Sequence, residues 1–279
     1  MIIRLILIEL YKVFKKWRAY IGFIGITVLI TLIQYSMYTR GRNHLRHMTY
    51  NMKLPFGSPE DFLNGYTIAY FMMHALLLQL PFLIIIVVGE LLAGEAVGGT
   101  FRILVTRPVS RFSLLSAKYI SGIIYTCLLL LWFIFLSLGI GIVIFGTGNM
   151  LVMSKGPLII PYTEVPYRFI YAYLFSALAM ISIASLAFLF SSFVENAMGP
   201  IISTITVVIV FTIISNINID IFQDLRHFIF TNYIPNWKLF FENPLDKVKI
   251  IKSVIVLAGH SAAFYLLSLY IFQKKDILS

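Results

Sequence analysis

Residues 169–194 read FIYAYLFSALAMISIASLAFLFSSFV and contain no charged side chain. Roughly 20 helical residues cross the ~30 Å hydrocarbon core of a bilayer, so this stretch is long enough to span it. Lipid offers the backbone no hydrogen-bond partners, and such a run therefore has to be helical. Small residues such as Ala172, Ser176, Ala179 and Ser182 recur along it. They indicate either close packing at the centre of a helix bundle or local helix flexibility.

Five further runs have the same apolar character. They are residues 19–38, 66–89, 119–145, 198–219 and 253–272. The second of them contains Pro81, where we expect a kink because proline has no amide proton to donate within a helix. The predicted fold class is therefore all-α, a polytopic membrane protein with six transmembrane helices.

Composition agrees with an embedded chain. Of the 279 residues, 59% are hydrophobic and 12% are charged, whereas soluble domains carry about 25% charged residues. The net charge is +10, and the basic residues cluster at the ends of the apolar runs, so we expect anionic headgroups of the lipid bilayer and not nucleic acid as their partner. The single cysteine, Cys127, cannot form an intrachain disulfide.

Residues 1–18 predict an amphipathic interfacial helix. Ile2, Ile6 and Leu10 share one side, whereas Glu9 and Lys12 share the other. A basic amphipathic helix lies in the membrane surface with its apolar side toward the lipid. A helix solvated by water is the alternative.

The connections indicate an orientation. Six spans place both termini on one side, and each side then carries eleven lysines and arginines. The five basic residues within 1–18 decide for cytoplasmic termini, because the first span usually dominates. We therefore expect a multi-pass protein of the cell membrane, with residues 90–118 as a cytoplasmic loop. Residues 220–252, in which aromatic residues alternate with charges and Pro235 and Pro244 interrupt, predict an outer re-entrant or interfacial segment.

Motifs of catalysis are missing from the sequence. There is no phosphate-binding loop and no zinc-binding helix motif, so we predict no catalytic residue, no cofactor and no metal site. Residues 259–263 read GHSAA, which lacks the final glycine of a nucleophile elbow, and Ser261 is expected to pack between helices. No span carries a carboxylate near mid-depth, which speaks against a carrier that powers itself. His74, Gln79 and His260 either line a transport path or bond to a neighbouring helix.

The loop after the second span is the most informative segment. Residues 95–111 read EAVGGTFRILVTRPVSR. Pro108 disfavours helix at the residue before it, and Ser110 or Ser113 can cap the helix that follows. The expected result is a rigid bend that carries basic side chains into the cytoplasm, although simple positive-inside anchoring would also account for them.

This loop resembles the corresponding loop of ABC-2 type permeases, the membrane subunits of a class of ATP-binding-cassette transporters. The family pattern is a glutamate, then Gly-Thr, an apolar stretch, Thr-basic-Pro and Ser-Arg, and Lys118 at the third span also fits. The resemblance implies an ATPase-coupling role for Glu95, Gly99, Thr100, Arg102, Thr106, Arg107, Pro108 and Arg111. It also implies a second ATPase contact at the tight turn that contains Glu195 and Asn196.

The function implied by the resemblance is that of a permease subunit that exports an unidentified substrate. It is not itself an enzyme: a separate ATPase, in two copies, hydrolyses ATP, and a second permease chain completes a homodimer or heterodimer. A mechanotransmission subunit that relays ATPase motion to an extracytoplasmic protein is the first alternative. A secondary carrier or membrane enzyme is the second.

The first outer loop departs from the family pattern because it is strongly basic. It contains Arg40, Arg42, Arg46 and Lys53 beside two histidines. These residues either meet an acidic substrate or partner, or are solvated.

Overall fold

The computed structural model describes residues 2–49, 62–97, 110–153, 156–193, 196–217 and 226–274. Most of these residues are helical, which confirms the all-α class. The α-helices are α1 (Ile2–Lys15), α2 (Arg18–Thr49), α3 (Gly65–Leu76), α4 (Leu80–Val88), α5 (Ala93–Val97), α6 (Arg111–Ile134), α7 (Gly141–Phe145), α8 (Val165–Phe193), α9 (Met198–Asn216) and α10 (Lys247–Lys274). A π-helical segment, Phe135–Ile140, joins α6 to α7, and a 3-10 helix, Phe230–Phe241, precedes α10.

Among the described residues, five helices are long and apolar enough to cross a membrane. They cover Arg18–Asn43, Arg111–Phe145, Val165–Phe193, Met198–Asn216 and Lys247–Lys274. The count becomes six when α3 and α4, which are bent by 56° against each other, are taken as one span. The bend lies just before Pro81, which cannot donate a hydrogen bond to the carbonyl four residues earlier. The predicted kink is thereby confirmed.

The bent pair connects opposite ends of the bundle. At its start, Gly65 donates its amide proton to Gly146 O at 2.9 Å, beside the end of α7. At its other end, Glu90 pairs with Lys16 and Arg18 at the corner between α1 and α2. A re-entrant helical loop would return to the end where it began, so the pair forms one broken span. We call the end that holds α1 the α1 end, and the opposite end, which carries the β-hairpin described below, the hairpin end.

Helix α8 occupies the centre of the bundle, as its small residues predicted. In its most apolar window 72% of the residues are buried, against 17–33% for the other unbroken spans. Ser182 Oγ lies 2.9 Å from Ser261 Oγ of α10 and donates to Leu257 O at 3.0 Å. The packing role expected for Ser261 is therefore confirmed.

A short β-hairpin between α7 and α8 was not predicted from the sequence. Strands β1 (Met150–Met153) and β2 (Pro157–Ile160) pair antiparallel. Asn64, which caps α3, fixes the hairpin by donating from Nδ2 to Asn149 O at 2.7 Å. Four-residue strands give almost no period-two pattern, and Pro157 is tolerated because it is the first residue of its strand.

Two predicted connections contain more helix than expected. Helix α2 continues through residues 39–49, and the 3-10 helix occupies part of the segment 220–252. The ring of Phe241, in that helix, has its centroid 4.9 Å from the ring centroid of Phe169 and 5.1 Å from that of Tyr70. Arg168 donates to the carbonyl oxygens of Phe240 and Glu242. This part of the segment is therefore docked on the hairpin end of α3 and α8.

Gly65 provides a test of this packing. A Cβ atom at Gly65 would lie 2.6 Å from the Ile142 backbone, which cannot yield as a flexible side chain does. We expect Gly65→Ala to reduce the yield of monodisperse protein in size-exclusion chromatography and to lower its unfolding temperature. Gly25→Ala is the matched control, because nothing lies within 4 Å of its Cβ position and alanine favours a helix by about 1 kcal/mol. Equal behaviour of the two variants would contradict the close approach of α3 to α7.

Candidate functional site

The candidate site is a group of paired charges at the α1 end, where the segment after the second span meets the first helix. We call it the ionic cluster, and its members are Glu9, Lys12, Lys16, Arg18, Glu90, Glu95 and Lys118. It joins α1, the start of α2, the end of the bent span and the start of α6. Of the predicted coupling residues, it contains Glu95.

Lys118 lies at the centre of the cluster. Its Nζ atom is 2.6 Å from Glu9 Oε2 and 2.7 Å from Glu95 Oε1. The Lys118 side chain is 1% exposed, and those of Glu9 and Glu95 are 5% and 13% exposed. An ammonium group that is buried this deeply is tolerated only because two carboxylates compensate its charge. The first turns of α6 are therefore fixed to both α1 and α5.

Lys12 makes a second bridge between the same carboxylates. Its Nζ atom lies 2.8 Å from both Glu9 Oε1 and Glu95 Oε1. Partial burial of Lys12 disfavours its charged form, but the hydrogen bonds to Glu9 and Glu95 outweigh this effect and raise the pKa of its ammonium group. Lys12 therefore stays charged at physiological pH.

Glu90 holds the corner between α1 and α2. Its carboxylate accepts from Lys16 Nζ at 3.1 Å and from Arg18 Nη1 at 2.9 Å. Both cations are near half exposed, so each pair contributes less than the buried pairs around Lys118. Their effect is positional, since they bind the start of the first span to the end of the second.

Helix α1 turns one of its polar residues toward the protein. Glu9 is buried with Val13, whereas Ile3 and Leu7 are 70% and 60% exposed. Part of the apolar side of α1 therefore remains exposed for lipid, whereas Glu9 lies against Lys118 of α6. The helix ends at Lys15. As α2 begins, the amide of Ala19 donates a hydrogen bond to Lys16 O at 3.1 Å.

Ser191, near the end of α8, binds the same segment from another side. Its Oγ atom accepts the amide protons of Leu92 at 3.1 Å and Ala93 at 3.0 Å. These amides are at the start of α5, where helix geometry leaves them without partners of their own. The segment that follows the second span is thereby tied to the central helix as well as to α1 and α6.

Two other predicted ATPase contacts that the structure describes, Arg111 and Asn196, lie outside the ionic cluster. Ser110 caps α6 by accepting from Ser113 N, as predicted, and Arg111 Nη1 donates to Gln273 O at 3.0 Å near the end of α10. Asn196 accepts from Met198 N at 3.1 Å, at the start of α9. Outside the described residues lie Gly99, Thr100, Arg102, Thr106, Arg107, Pro108 and Glu195.

The three polar candidates for a path are in two places. His74 and Gln79 are exposed on the bent span, His74 before the bend and Gln79 within it. His74 Nε2 lies 3.1 Å from Tyr70 Oη in the same helix, and its ring is 5.0 Å from that of Trp237. His260 lies apart from them, with its Nδ1 atom 2.9 Å from Val256 O and its ring beside Phe230.

Sequence reasoning identified Glu95 and Lys118 but missed their partners. The amphipathic pattern of residues 1–18 assigns Glu9 to the polar, outward-facing side, because amphipathicity divides residues only into apolar and polar. One signal was present: Glu9 is the only acidic residue in a basic segment of 18 residues.

Lys118 gives the sharpest test of the cluster. Lys118→Met leaves Glu9 and Glu95 buried without their closest cation, and we expect a loss of about 3–5 kcal/mol in unfolding free energy. Lys12→Met is the matched control, and because Lys12 is 39% exposed we expect a loss of about 1 kcal/mol or less. Adding Glu9→Gln should recover part of the stability lost by Lys118→Met. Thermal unfolding in detergent measures these effects, and equal losses for the two lysine variants would contradict the assignment.

Comparison with known proteins places the chain in a family without assigning an activity. The uncharacterized protein YhcI of Bacillus subtilis (strain 168) is 28% identical over 199 residues, which cover 69% of this chain and 63% of the relative. The match therefore spans less than two thirds of that relative's length. A family model described as protein of unknown function (DUF2705) matches residues 26–278. Since this match covers most of the chain, the protein belongs to the DUF2705 family.

Proposed function

We propose that this chain is the membrane-spanning permease subunit of an ATP-binding-cassette transporter, that a separate ATPase moves it, and that it exports an unidentified substrate. The observation that carries the proposal is the ionic cluster. It ties Glu95, the first residue of the predicted coupling segment, to the buried Lys118 of α6 and to Glu9 of α1. A force on that segment would therefore reach several spans together.

The contacts support a mechanical sequence. ATPase closure pushes on the segment 95–111 from the α1 end. Glu90 and Glu95 transmit the push to α1, α2 and α6, and Ser191 transmits it to α8 through the amides of α5. Paired charges that are buried resist separation better than exposed ones. The spans would consequently tilt as one body at this end.

The bent span supplies a joint between the two ends. It turns by 56° between α3 and α4, and the exposed residues next to the turn include His74, Leu78 and Gln79. Polar side chains are costly where they face lipid, and they usually face a cavity or another helix. We propose that this surface faces a second permease chain and that His74 and Gln79 line the path between the chains.

The proposed orientation follows from the position of the ATPase. In it, the α1 end lies in the cytoplasm with both termini, and the hairpin end lies outside the cell membrane. Five basic residues within 1–18 support this orientation by the positive-inside tendency. Two copies of a separate ATPase hydrolyse ATP below the bundle, and the chain itself performs no catalysis.

The ATPase is tested by isolating the chain from its native membranes in mild detergent. We expect a protein with a phosphate-binding loop to co-purify, as identified by mass spectrometry, together with ATP hydrolysis that depends on the chain. Arg102→Glu with Arg107→Glu should remove both the bound ATPase and the hydrolysis. We choose this pair because Arg111 already bonds to α10, so that its substitution would also disturb packing.

The matched control for this experiment reverses two charges at the opposite end. Lys247→Glu with Lys249→Glu, which are exposed at the start of α10, should leave ATPase binding unchanged. If the wild-type chain carries no such ATPase, or if both double variants behave alike, the proposal is wrong.

A mechanotransmission subunit is the second candidate, and the hairpin end favours it. Around the β-hairpin and the 3-10 helix this end exposes aromatic side chains, with Tyr162 61% and Phe228 76% exposed. Exposed aromatic residues are typical of protein contacts as well as of membrane interfaces. A bound ATPase together with a stoichiometric outer protein, and no ATP-dependent solute movement in vesicles, would favour this candidate over export.

The second chain is tested by cross-linking. In a Cys127→Ser background, we expect Gln79→Cys to give a covalent dimer with a short bismaleimide in native membranes. Ile255→Cys, on the 65% exposed surface of α10, is the control and should stay monomeric. Cross-linking at Ile255→Cys but not at Gln79→Cys would place a different surface between the chains.

A further inference from the structure

A cavity at the hairpin end takes no part in the contacts described so far. It has a volume of about 490 Å³ and lies between the extended end of α2, α7 and the residues before α3. Ligand pockets in proteins usually measure roughly 300–1,000 Å³. The cavity is lined by Tyr38, Thr39, Arg40, Arg42, Asn43, Leu63, Ile144 and Phe145.

Part of the cavity lining is basic. Arg40 and Arg42 lie two residues apart on α2, with Asn43 beside them. Within the part of the chain that the structure describes, neither guanidinium group has an ion-pair partner. Two like charges on one small cavity repel each other unless an anion lies between them. The planar guanidinium group offers paired donors that match the oxygen atoms of a phosphate.

Most of the remaining lining is apolar. The rings of Tyr38 and Phe145 meet edge to face with centroids 6.3 Å apart, and Leu63 and Ile144 complete the wall. Next to this wall, Val143 is 84% exposed on α7. An occupant that matches both the basic and the apolar parts of the lining has an anionic head and an apolar tail.

The position of the cavity along α2 matches such an occupant. The apolar run of α2 ends at Tyr38, and the helix continues to Thr49. Arg40 and Arg42 are therefore at the depth where hydrocarbon gives way to headgroups, and their long side chains can extend to the phosphate layer.

We infer that Arg40, Arg42 and Asn43 form a binding site for the phosphate group of an anionic phospholipid, with its acyl chains against Tyr38, Ile144 and Phe145. This site is present whether or not an ATPase drives the chain. It gives the basic outer segment a partner that is acidic and amphipathic.

The site is tested by native mass spectrometry of the full chain in detergent, titrated with phosphatidylglycerol or with phosphatidylcholine. We expect one tightly bound phosphatidylglycerol per chain and weaker binding of phosphatidylcholine. Arg40→Gln with Arg42→Gln should weaken the binding of phosphatidylglycerol about tenfold or more, since each hydrogen bond to a charged group is worth roughly 1.5–3 kcal/mol. Circular dichroism and size-exclusion chromatography verify that the variant folds.

Lys247→Gln with Lys249→Gln is the matched control, because it removes the same charge from exposed positions on α10. This variant should bind phosphatidylglycerol like the wild type. Equal weakening in both variants, or no preference for phosphatidylglycerol, would overturn the site. Displacement of the lipid by millimolar inorganic phosphate alone would identify free phosphate as the occupant and overturn the assignment to lipid.

Discussion

The structure depends on one lysine that is held between two glutamates. Lys118 is almost completely buried, and Glu9 and Glu95, whose carboxylate oxygens lie within 2.7 Å of its nitrogen atom, compensate the charge of an ammonium group there. The three residues come from parts of the chain that are far apart in sequence, namely α1, α5 and α6. Their mutual dependence forces these elements to assemble together, since any one of them alone would bury an uncompensated charge.

The two ends of the bundle are held together by different kinds of contact. At the α1 end, charged pairs and the double acceptor Ser191 define the geometry. At the hairpin end, aromatic rings, a backbone contact and the hydrogen bonds of Arg168 do so: Phe241 fits between Tyr70 and Phe169, and Gly65 passes directly against α7. Buried ion pairs therefore dominate the contacts at one end, and ring packing with hydrogen bonds to backbone carbonyls dominates at the other.

Much of the fold could be predicted from the sequence, because a bilayer accepts few structures. Runs of about 20 apolar residues specify helices, Pro81 specifies the bend, and the small residues of α8 specify its central place. The candidate site was less accessible. Glu95 and Lys118 were found through a family pattern, but Glu9 was not, because an ion pair between residues 109 positions apart leaves no local periodicity. The β-hairpin was missed for a similar reason, since a tertiary contact to Asn64 holds it in place.

The outward-facing apolar side of α1 has a consequence for the membrane itself. With 14 residues at about 1.5 Å each, this helix is too short to cross the hydrocarbon core and therefore occupies a single leaflet. That leaflet therefore holds an additional helix beside the spans. A change in the tension or curvature of that leaflet acts directly on the element that Glu9 joins to the core.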